Sequence, residues 1–283
     1  MIKLGFNAGA SVESLLVMRM AFSLPLIVGI LIYSVRSRRH QHISALDYAK
    51  AGGLGVVSYY VCAWLDFTGL QYITSQLERL ILFVYPTLTA ILAWIFLGDK
   101  MSWRHGIALA FSYGGIAILF GRELEVSGDD VWLGAGLVFL CAILFAMFVV
   151  ASKPVLRRVG SSIFTSVAML GASVAIFAHA FIKANGVITV ETDPTILGLG
   201  AFLGLACTVL PGVMTAEAID RMGPGPATAV GTIGPVSTAI IAVFVLHEPF
   251  GWPQASALAL SITGIIILFR ARPPQKPKSP SAV

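Results

Sequence analysis

Long runs without Asp, Glu, Lys or Arg are the feature that most constrains how this 283-residue chain can fold. Six such runs contain 19 to 26 residues each, at 80–98, 131–152, 159–182, 194–216, 222–247 and 249–269. An α-helix rises 1.5 Å per residue, so roughly 20 apolar residues cross a bilayer core of about 30 Å. Charged residues make up only 12% of the chain, against about 25% in ordinary soluble domains. We therefore expect an all-α polytopic membrane protein and not a soluble enzyme.

Three further apolar segments bring the number of predicted transmembrane helices to nine. These segments carry a few charges, among them Glu13 and Arg19 in the first and Asp66 in the second. The nine predicted spans are 12–34, 50–72, 75–97, 103–121, 131–152, 162–183, 195–217, 226–246 and 252–269. None has the alternating pattern of a membrane β-strand.

The basic residues of the loops predict the orientation of the chain. Alternate connections hold 14 Lys and Arg on one side and four on the other. Because cytoplasmic loops carry the excess of basic residues, the first side, which includes the C-terminus, is predicted to be cytoplasmic. The net charge of +5 then requires no nucleic-acid partner. Residues 271–283 are rich in Pro and are predicted to form a disordered cytoplasmic tail.

An internal repeat relates the two halves of the chain. A shift of 149 residues aligns 86–120 with 235–269 at 16 identical positions of 35, and Pro, Trp and Gly residues match in register. Each repeat unit contains five spans, so the two copies cross the membrane in opposite directions, as in many secondary transporters. We predict a first repeat over 1–121 and a second over 122–270.

One span has no counterpart in the first repeat. Moving 131–152 back by 149 residues places it almost entirely before Met1. We therefore expect two inverted five-helix repeats from which the first helix is missing. The coding sequence upstream of Met1 would test this expectation.

Several motifs resemble the drug/metabolite transporter superfamily, in its EamA-domain branch. They are Lys3-Leu4-Gly5, the segment from Gly69 to Pro86, Leu97-Gly98-Asp99 with Gly106 and Gly115, and their second-half counterparts Gly234-Pro235, His247-Glu248 and Gly264. The resemblance implies ten helices around a central cavity and export of metabolites, amino acids or toxic compounds. In such proteins the first helix helps to line the cavity.

Charged residues inside the spans are the first candidates for a transport role, because charges in lipid are costly and often mark a pathway. Arg19, Asp66, Glu78 and Arg79 lie in the predicted outer half of the membrane, and their charges sum to zero. Neighbours on a helix diverge by about 100°, so we expect cross-helix pairs, Asp66 with Arg79 or Arg19 and Glu78 with the remaining Arg. These residues are predicted to form a gate or ion-coupling site. Interhelical ion pairs without a transport role, or side chains that reach the headgroups, are the alternative.

Glu217 is a further ion-coupling candidate, at the predicted cytoplasmic end of its span. An ordinary interfacial charge is the alternative for this residue.

Prolines at matching positions of the two repeats predict the substrate cavity. Proline removes a helical hydrogen bond, and interrupted helices in both halves of a transporter often hold the substrate near the midplane. Helix curvature without a binding role is the alternative. The candidates for the cavity wall are Tyr59, Trp64, Tyr85, Pro86, Thr208, Gly231, Thr232, Gly234 and Pro235.

These patterns favour a secondary transporter in a bacterial inner membrane that exports a small metabolite by alternating access. A non-transporting membrane scaffold or lipid flippase partner is the alternative, and a membrane-embedded enzyme comes third. We expect no enzymatic activity, no cofactor and no metal site. The sequence leaves proton coupling and a homodimer open.

Overall fold

The computed structural model describes residues 2–37, 43–98, 103–184, 193–223, 227, 241, 243–245 and 250–270. Within these ranges the secondary structure is helical and includes no β-strand. The expectation of an all-α protein is confirmed.

The first half of the chain forms helices whose ends follow local sequence signals. Their bounds are α1 (Ile2–Asn7), α2 (Val12–Ser37), α3 (Ala45–Gly55), a π-helical turn π1 (Val56–Val61), α4 (Cys62–Gly69), α5 (Ser75–Leu82), α6 (Tyr85–Leu97) and α7 (Trp103–Ser127). Thr74 caps α5 by accepting a hydrogen bond from the Leu77 backbone N–H. Gly98 ends α6 with a φ of 71°, a conformation that favours glycine.

The second half continues in the same manner. Its helices are α8 (Asp130–Val159), α9 (Ser161–Lys183), α10 (Pro194–Gly204), a π-helical turn π2 (Leu205–Val209), α11 (Leu210–Met222) and α12 (Trp252–Arg270). The Asp193 side chain caps α10, and Pro194 occupies its first turn, where its missing N–H has no cost.

Five helical segments of the described chain are long and apolar enough to cross a membrane. They are Val12–Arg36, Ser75–Phe96, Asp130–Val159, Ser161–Lys183 and Pro194–Met222. The other four of the nine predicted spans stay predictions. Three of them, 50–72, 103–121 and 252–269, are helical in the structure and correspond to α3 with π1 and α4, to α7 and to α12. Most of the fourth, 226–246, falls outside the described residues. Large apolar side chains such as Tyr33, Trp132 and Val174 are exposed, as expected of a lipid-facing surface.

Helices related by the 149-residue shift pack against each other, α2 against α9 and α7 against α12. The same shift relates two close crossings. A Cβ atom on Gly55 would lie 1.9 Å from the Ala168 carbonyl oxygen, and one on Gly204 would lie 2.5 Å from the Arg19 carbonyl oxygen. The first crossing joins the end of α3 to α9, and the second joins the end of α10 to α2. Glycine permits both, because any side chain would meet backbone.

The two π turns also occupy equivalent positions. The shift of 149 residues carries Val56 onto Leu205, so each π turn begins directly after its crossing glycine. A π turn adds one residue to a helical turn and disturbs the regular series of hydrogen bonds, often at a functional site.

Candidate functional site

Three helices bring the four predicted charged residues together. Arg19 lies on α2, Asp66 on α4, and Glu78 and Arg79 on α5. Asp66 and Glu78 line the same cavity. The Arg79 Nε atom lies 3.2 Å from Oε2 of Glu78, whose side chain is only 2% exposed.

The ion pair between Glu78 and Arg79 corrects the expected pairing. We predicted that neighbours on a helix would point apart, and this prediction is wrong for these two residues. The Cβ atoms do diverge, but the Arg79 side chain has four rotatable bonds and curves back toward the carboxylate. Asp66 interacts electrostatically with both Arg79 and Arg19. No ion pair within 4.0 Å joins Asp66 to either arginine among the described residues.

Arg19 binds the backbone of the first π turn. Its Nη2 donates to the Tyr59 carbonyl oxygen at 2.8 Å, and its guanidinium carbon lies 5.3 Å from the centre of the Phe67 ring. The Nε donor of Arg19 is buried and has no hydrogen-bond partner within the part of the chain that the structure describes. Sequence reasoning missed the Tyr59 carbonyl, because a backbone acceptor within a π turn leaves no mark in a residue pattern.

The second π turn is held by neutral groups. The Thr208 hydroxyl donates to the Leu203 carbonyl oxygen at 2.7 Å, five residues back. The Ser23 hydroxyl lies within hydrogen-bonding distance of the Gly204 and Arg19 carbonyl oxygens, at 3.0 and 2.7 Å. The two π turns therefore differ in how their backbone is satisfied.

A first cavity of about 330 Å³ contains the charged cluster. It is lined by Ile2, Lys3, Arg19, Asp66, Phe67, Leu70, Ser75, Glu78, Arg79, Leu203, Cys207, Thr208 and Ile241. A second cavity, also of about 330 Å³, lies beyond it. That cavity is lined by Ser58, Cys62, Ala63, Asp66, Arg79, Leu82, Phe83, Tyr85, Cys141, Ala142 and Phe145. Asp66 and Arg79 belong to both walls, so these two side chains lie where the two cavities adjoin.

Pro86 lies in the first turn of α6, next to a break in the predicted 75–97 span. Helix α5 ends at Leu82, the residue whose carbonyl would have accepted from an N–H at position 86. The break places Tyr85 in the wall of the second cavity. The predicted counterparts Gly231, Thr232, Gly234 and Pro235 lie outside the described residues.

The remaining predicted residues have other positions. The Tyr59 ring packs edge-on against Phe148, with 6.3 Å between ring centres. The Trp64 indole packs at the junction of two apolar clusters, and its Nε1 has no hydrogen-bond partner in the described ranges. Glu217 accepts hydrogen bonds from Ser161 and Arg221 and lines neither cavity. Over the residues that the structure covers, no three His, Cys, Asp or Glu side chains are arranged to hold a metal ion.

Glu123 is a buried carboxylate that sequence reasoning did not single out. It is 5% exposed and accepts hydrogen bonds from the Thr74 backbone N–H, at 3.1 Å, and from the Thr74 hydroxyl. It thereby fixes the start of α5, the helix that carries Glu78 and Arg79. The sequence signal was weak, because position 123 follows the apolar part of its helix and reads as a loop charge.

Curated relatives of the chain are bacterial transporters. The chain is 28% identical over 263 residues to the uncharacterized transporter YcbK of Bacillus subtilis, covering 89% of this chain and 82% of the relative. It is 25% identical over 234 residues to a probable terminal-alkyne amino-acid exporter of Streptantibioticus cattleyicolor, covering 78% and 72% of the two chains. These similarities extend over most of each sequence.

A solved crystal structure has the same overall fold, with a TM-score of 0.68 and 15% sequence identity. The match covers 96% of this chain and 93% of the other. The EamA-like transporter family matches the sequence twice, over residues 1–121 and 132–270. With these two matches and its membrane-spanning helices, the chain is a multi-pass membrane protein that belongs to the EamA-like transporter family.

Proposed function

We propose that this transporter exports a small metabolite by alternating access, with the cluster of Arg19, Asp66, Glu78 and Arg79 as the gate between the two cavities. One observation carries the proposal: Asp66 and Arg79 line both cavities, so these two side chains lie where a route from one cavity to the other would run. In a low-dielectric interior, such charges form a barrier that a solute opens only by replacing their interactions.

The predicted orientation gives the gate a direction. Lys3, Leu70 and Ser75 lie at predicted outer ends of helices and line the first cavity. The second cavity, with Tyr85 beside the break at Pro86, then lies on the cytoplasmic side of the cluster. A substrate would bind first in the second cavity and leave through the first. The inverted repeats over 1–121 and 122–270 would supply the two alternating conformations.

The cluster also supports proton coupling. Asp66 and Glu78 line the same cavity, and the charge of one carboxylate favours the protonated form of the other. A proton that arrives through the first cavity would bind this pair while the substrate is released outward. The proton would leave to the cytoplasm when the next substrate binds.

The chemistry of the cluster favours a zwitterionic substrate. Arg19 Nε is a buried donor and Asp66 Oδ1 a buried acceptor, and neither has a hydrogen-bond partner among the described residues. A carboxylate and an ammonium group on one small molecule would satisfy both, and leaving either unsatisfied is costly in this environment. The similarity to a probable terminal-alkyne amino-acid exporter supports an amino acid as the probe.

Efflux from liposomes tests the proposal. Purified protein is reconstituted into liposomes that contain a mixture of radiolabelled neutral amino acids, and efflux is measured with and without an inward proton gradient. We expect the gradient to accelerate efflux and Asp66→Asn to abolish that acceleration. Glu125→Gln is the matched control, because Glu125 is an exposed carboxylate paired with Arg122.

Folded protein that moves none of these amino acids would contradict the proposal and favour the scaffold or flippase-partner alternative. If the rate of efflux is the same with and without the proton gradient, and Asp66→Asn does not change it, proton coupling alone would be contradicted.

A further inference from the structure

The first π turn lies on a helix that is fixed at both ends. At one end, Gly55 crosses α9 so closely that a Cβ atom would meet Ala168 backbone. At the other end, Gly69 and Gly134 approach each other, and a Cβ atom on Gly69 would lie 2.8 Å from the Gly134 carbonyl oxygen. The segment between these crossings holds π1 and α4 without interruption. It therefore contains the one extra residue that a π turn adds, between two close helix crossings.

From this geometry we propose that the π turn migrates along the segment between Gly55 and Gly69, and that Arg19 holds it at Val56–Val61. The inference rests on the proposed gate, of which it describes the moving part. When a π turn passes a residue, that residue rotates by about 100° about the helix axis, the angle between successive residues of an α-helix. Asp66 lies on α4, downstream of the turn. Migration past Asp66 would turn its carboxyl away from Glu78 and from the wall shared by the two cavities, while both glycine crossings stay in place.

The bond from Arg19 to the Tyr59 carbonyl is the contact that favours the observed position. A charged donor makes a stronger hydrogen bond than a neutral one, and it stabilises the backbone carbonyl inside π1. The same guanidinium lines the first cavity and has a buried Nε without a partner within the described ranges. An anionic group in the cavity would therefore compete with Tyr59 for Arg19. Binding at the gate and the position of the π turn become linked through one side chain.

The second π turn provides an internal comparison. Its contacts come from the hydroxyls of Thr208 and Ser23, which carry no charge. Ala168 stands where the 149-residue shift would place the counterpart of Arg19. The second turn thus lacks an equivalent cation on that helix position, and we assign the ligand-responsive role to the first turn alone.

Amide hydrogen exchange of the full-length protein in detergent tests this assignment without any ligand. Arg19→Gln should raise exchange in peptides that cover 56–69 by about tenfold or more, because a hydrogen bond to a charged group is lost. Peptides that cover 205–222 should not change. Thr208→Val should produce the reciprocal result, with faster exchange in 205–222 and no change in 56–69. Arg19→Lys retains a cationic donor and should restore much of the protection.

Labelling of Cys62 provides a second readout if exchange is complicated by poor folding. Cys62 follows π1 directly, lines the second cavity and is buried. In a Cys141→Ser, Cys207→Ser background, Arg19→Gln should change the rate of Cys62 modification by a small methanethiosulfonate at least about fivefold, and Arg122→Gln should leave it unchanged. The migration proposal would be overturned if Arg19→Gln raised exchange equally in 56–69 and in 205–222. It would also be overturned if Arg19→Gln left the rate of Cys62 modification unaltered. Neither readout depends on transport, so failure of the exporter proposal would be seen separately, in the liposomes.

Discussion

Glu78 and Arg79 are adjacent in sequence and also partners in an ion pair, with 3.2 Å between Oε2 and Nε. Glu78 is almost fully buried, whereas the Arg79 side chain is 43% exposed. The two charges therefore have different environments although they share one helix. A buried carboxylate that loses its cation is much less stable than an exposed cation that loses its carboxylate.

Arg79→Gln should destabilise the protein more than Glu78→Gln. The first change leaves a buried carboxylate without its cation and should cost about 3 kcal/mol, whereas the second replaces that carboxylate by a neutral amide. Thermal unfolding in detergent measures both. Arg122→Gln is the control, because its exposed pair with Glu125 should contribute less than about 1 kcal/mol. A larger loss in Glu78→Gln than in Arg79→Gln would contradict this assignment.

Gly55→Ala should disrupt the crossing of α3 and α9, because the new Cβ would lie 1.9 Å from a backbone oxygen and the helices would have to separate. We expect a loss of about 3 kcal/mol or failure to fold. Gly53→Ala, two residues earlier on the same helix, has nothing within 4 Å of its Cβ and should be neutral or stabilising by about 0.5–1 kcal/mol. Similar melting temperatures for the two variants would show that the crossing is looser than described.

Glu123→Ala should loosen the start of α5. The Thr74 backbone N–H and hydroxyl would lose their acceptor in a buried position, at a cost of about 1–3 kcal/mol. Because α5 carries Glu78 and Arg79, transport should fall together with stability. Hydrogen exchange in peptides that begin at residue 74 measures the effect. Unchanged protection there would refute the role of Glu123 as a cap.

Asp193 should make the start of α10 sensitive to acid. Its carboxylate accepts a hydrogen bond from the Thr195 backbone N–H, which lowers the pKa of Asp193 below its ordinary value. A group with a lowered folded pKa contributes fully above its unfolded pKa, and the contribution disappears as the pH falls through the folded value. Protection of the first turn of α10 should therefore decrease below about pH 4. Asp193→Asn keeps a capping oxygen and should remove this pH dependence.

The break between α5 and α6 illustrates how far the sequence could predict the fold. A proline in an apolar run predicts a disturbed helix, and α5 indeed ends four residues before Pro86. The rule that charges in lipid are costly likewise selected Arg19, Asp66, Glu78 and Arg79, which the structure brings together. Their pairing was not predictable, because it depends on how the Arg79 side chain curves back and not on where its Cβ points.

The π turns were beyond sequence reasoning for a different reason. One extra residue in an apolar helix changes neither composition nor the run of hydrophobic residues. The available signal was indirect: Gly55 and Gly204 are related by the same 149-residue shift as the prolines. A glycine that recurs at equivalent positions of two repeats indicates a close backbone contact, but the sequence does not identify the helix that it contacts.

The crossing of Gly55 with Ala168 also sets an order for assembly during synthesis. Ala168 follows Gly55 by 113 residues, so α3 is complete long before its partner exists. At roughly 5–20 residues per second, the delay is on the order of 10 s. During that time the end of α3 faces lipid or the insertion machinery, and its π turn has no fixed neighbour on α9. The two halves of the chain therefore mature together, as a single unit that closes only after α9 has entered the membrane.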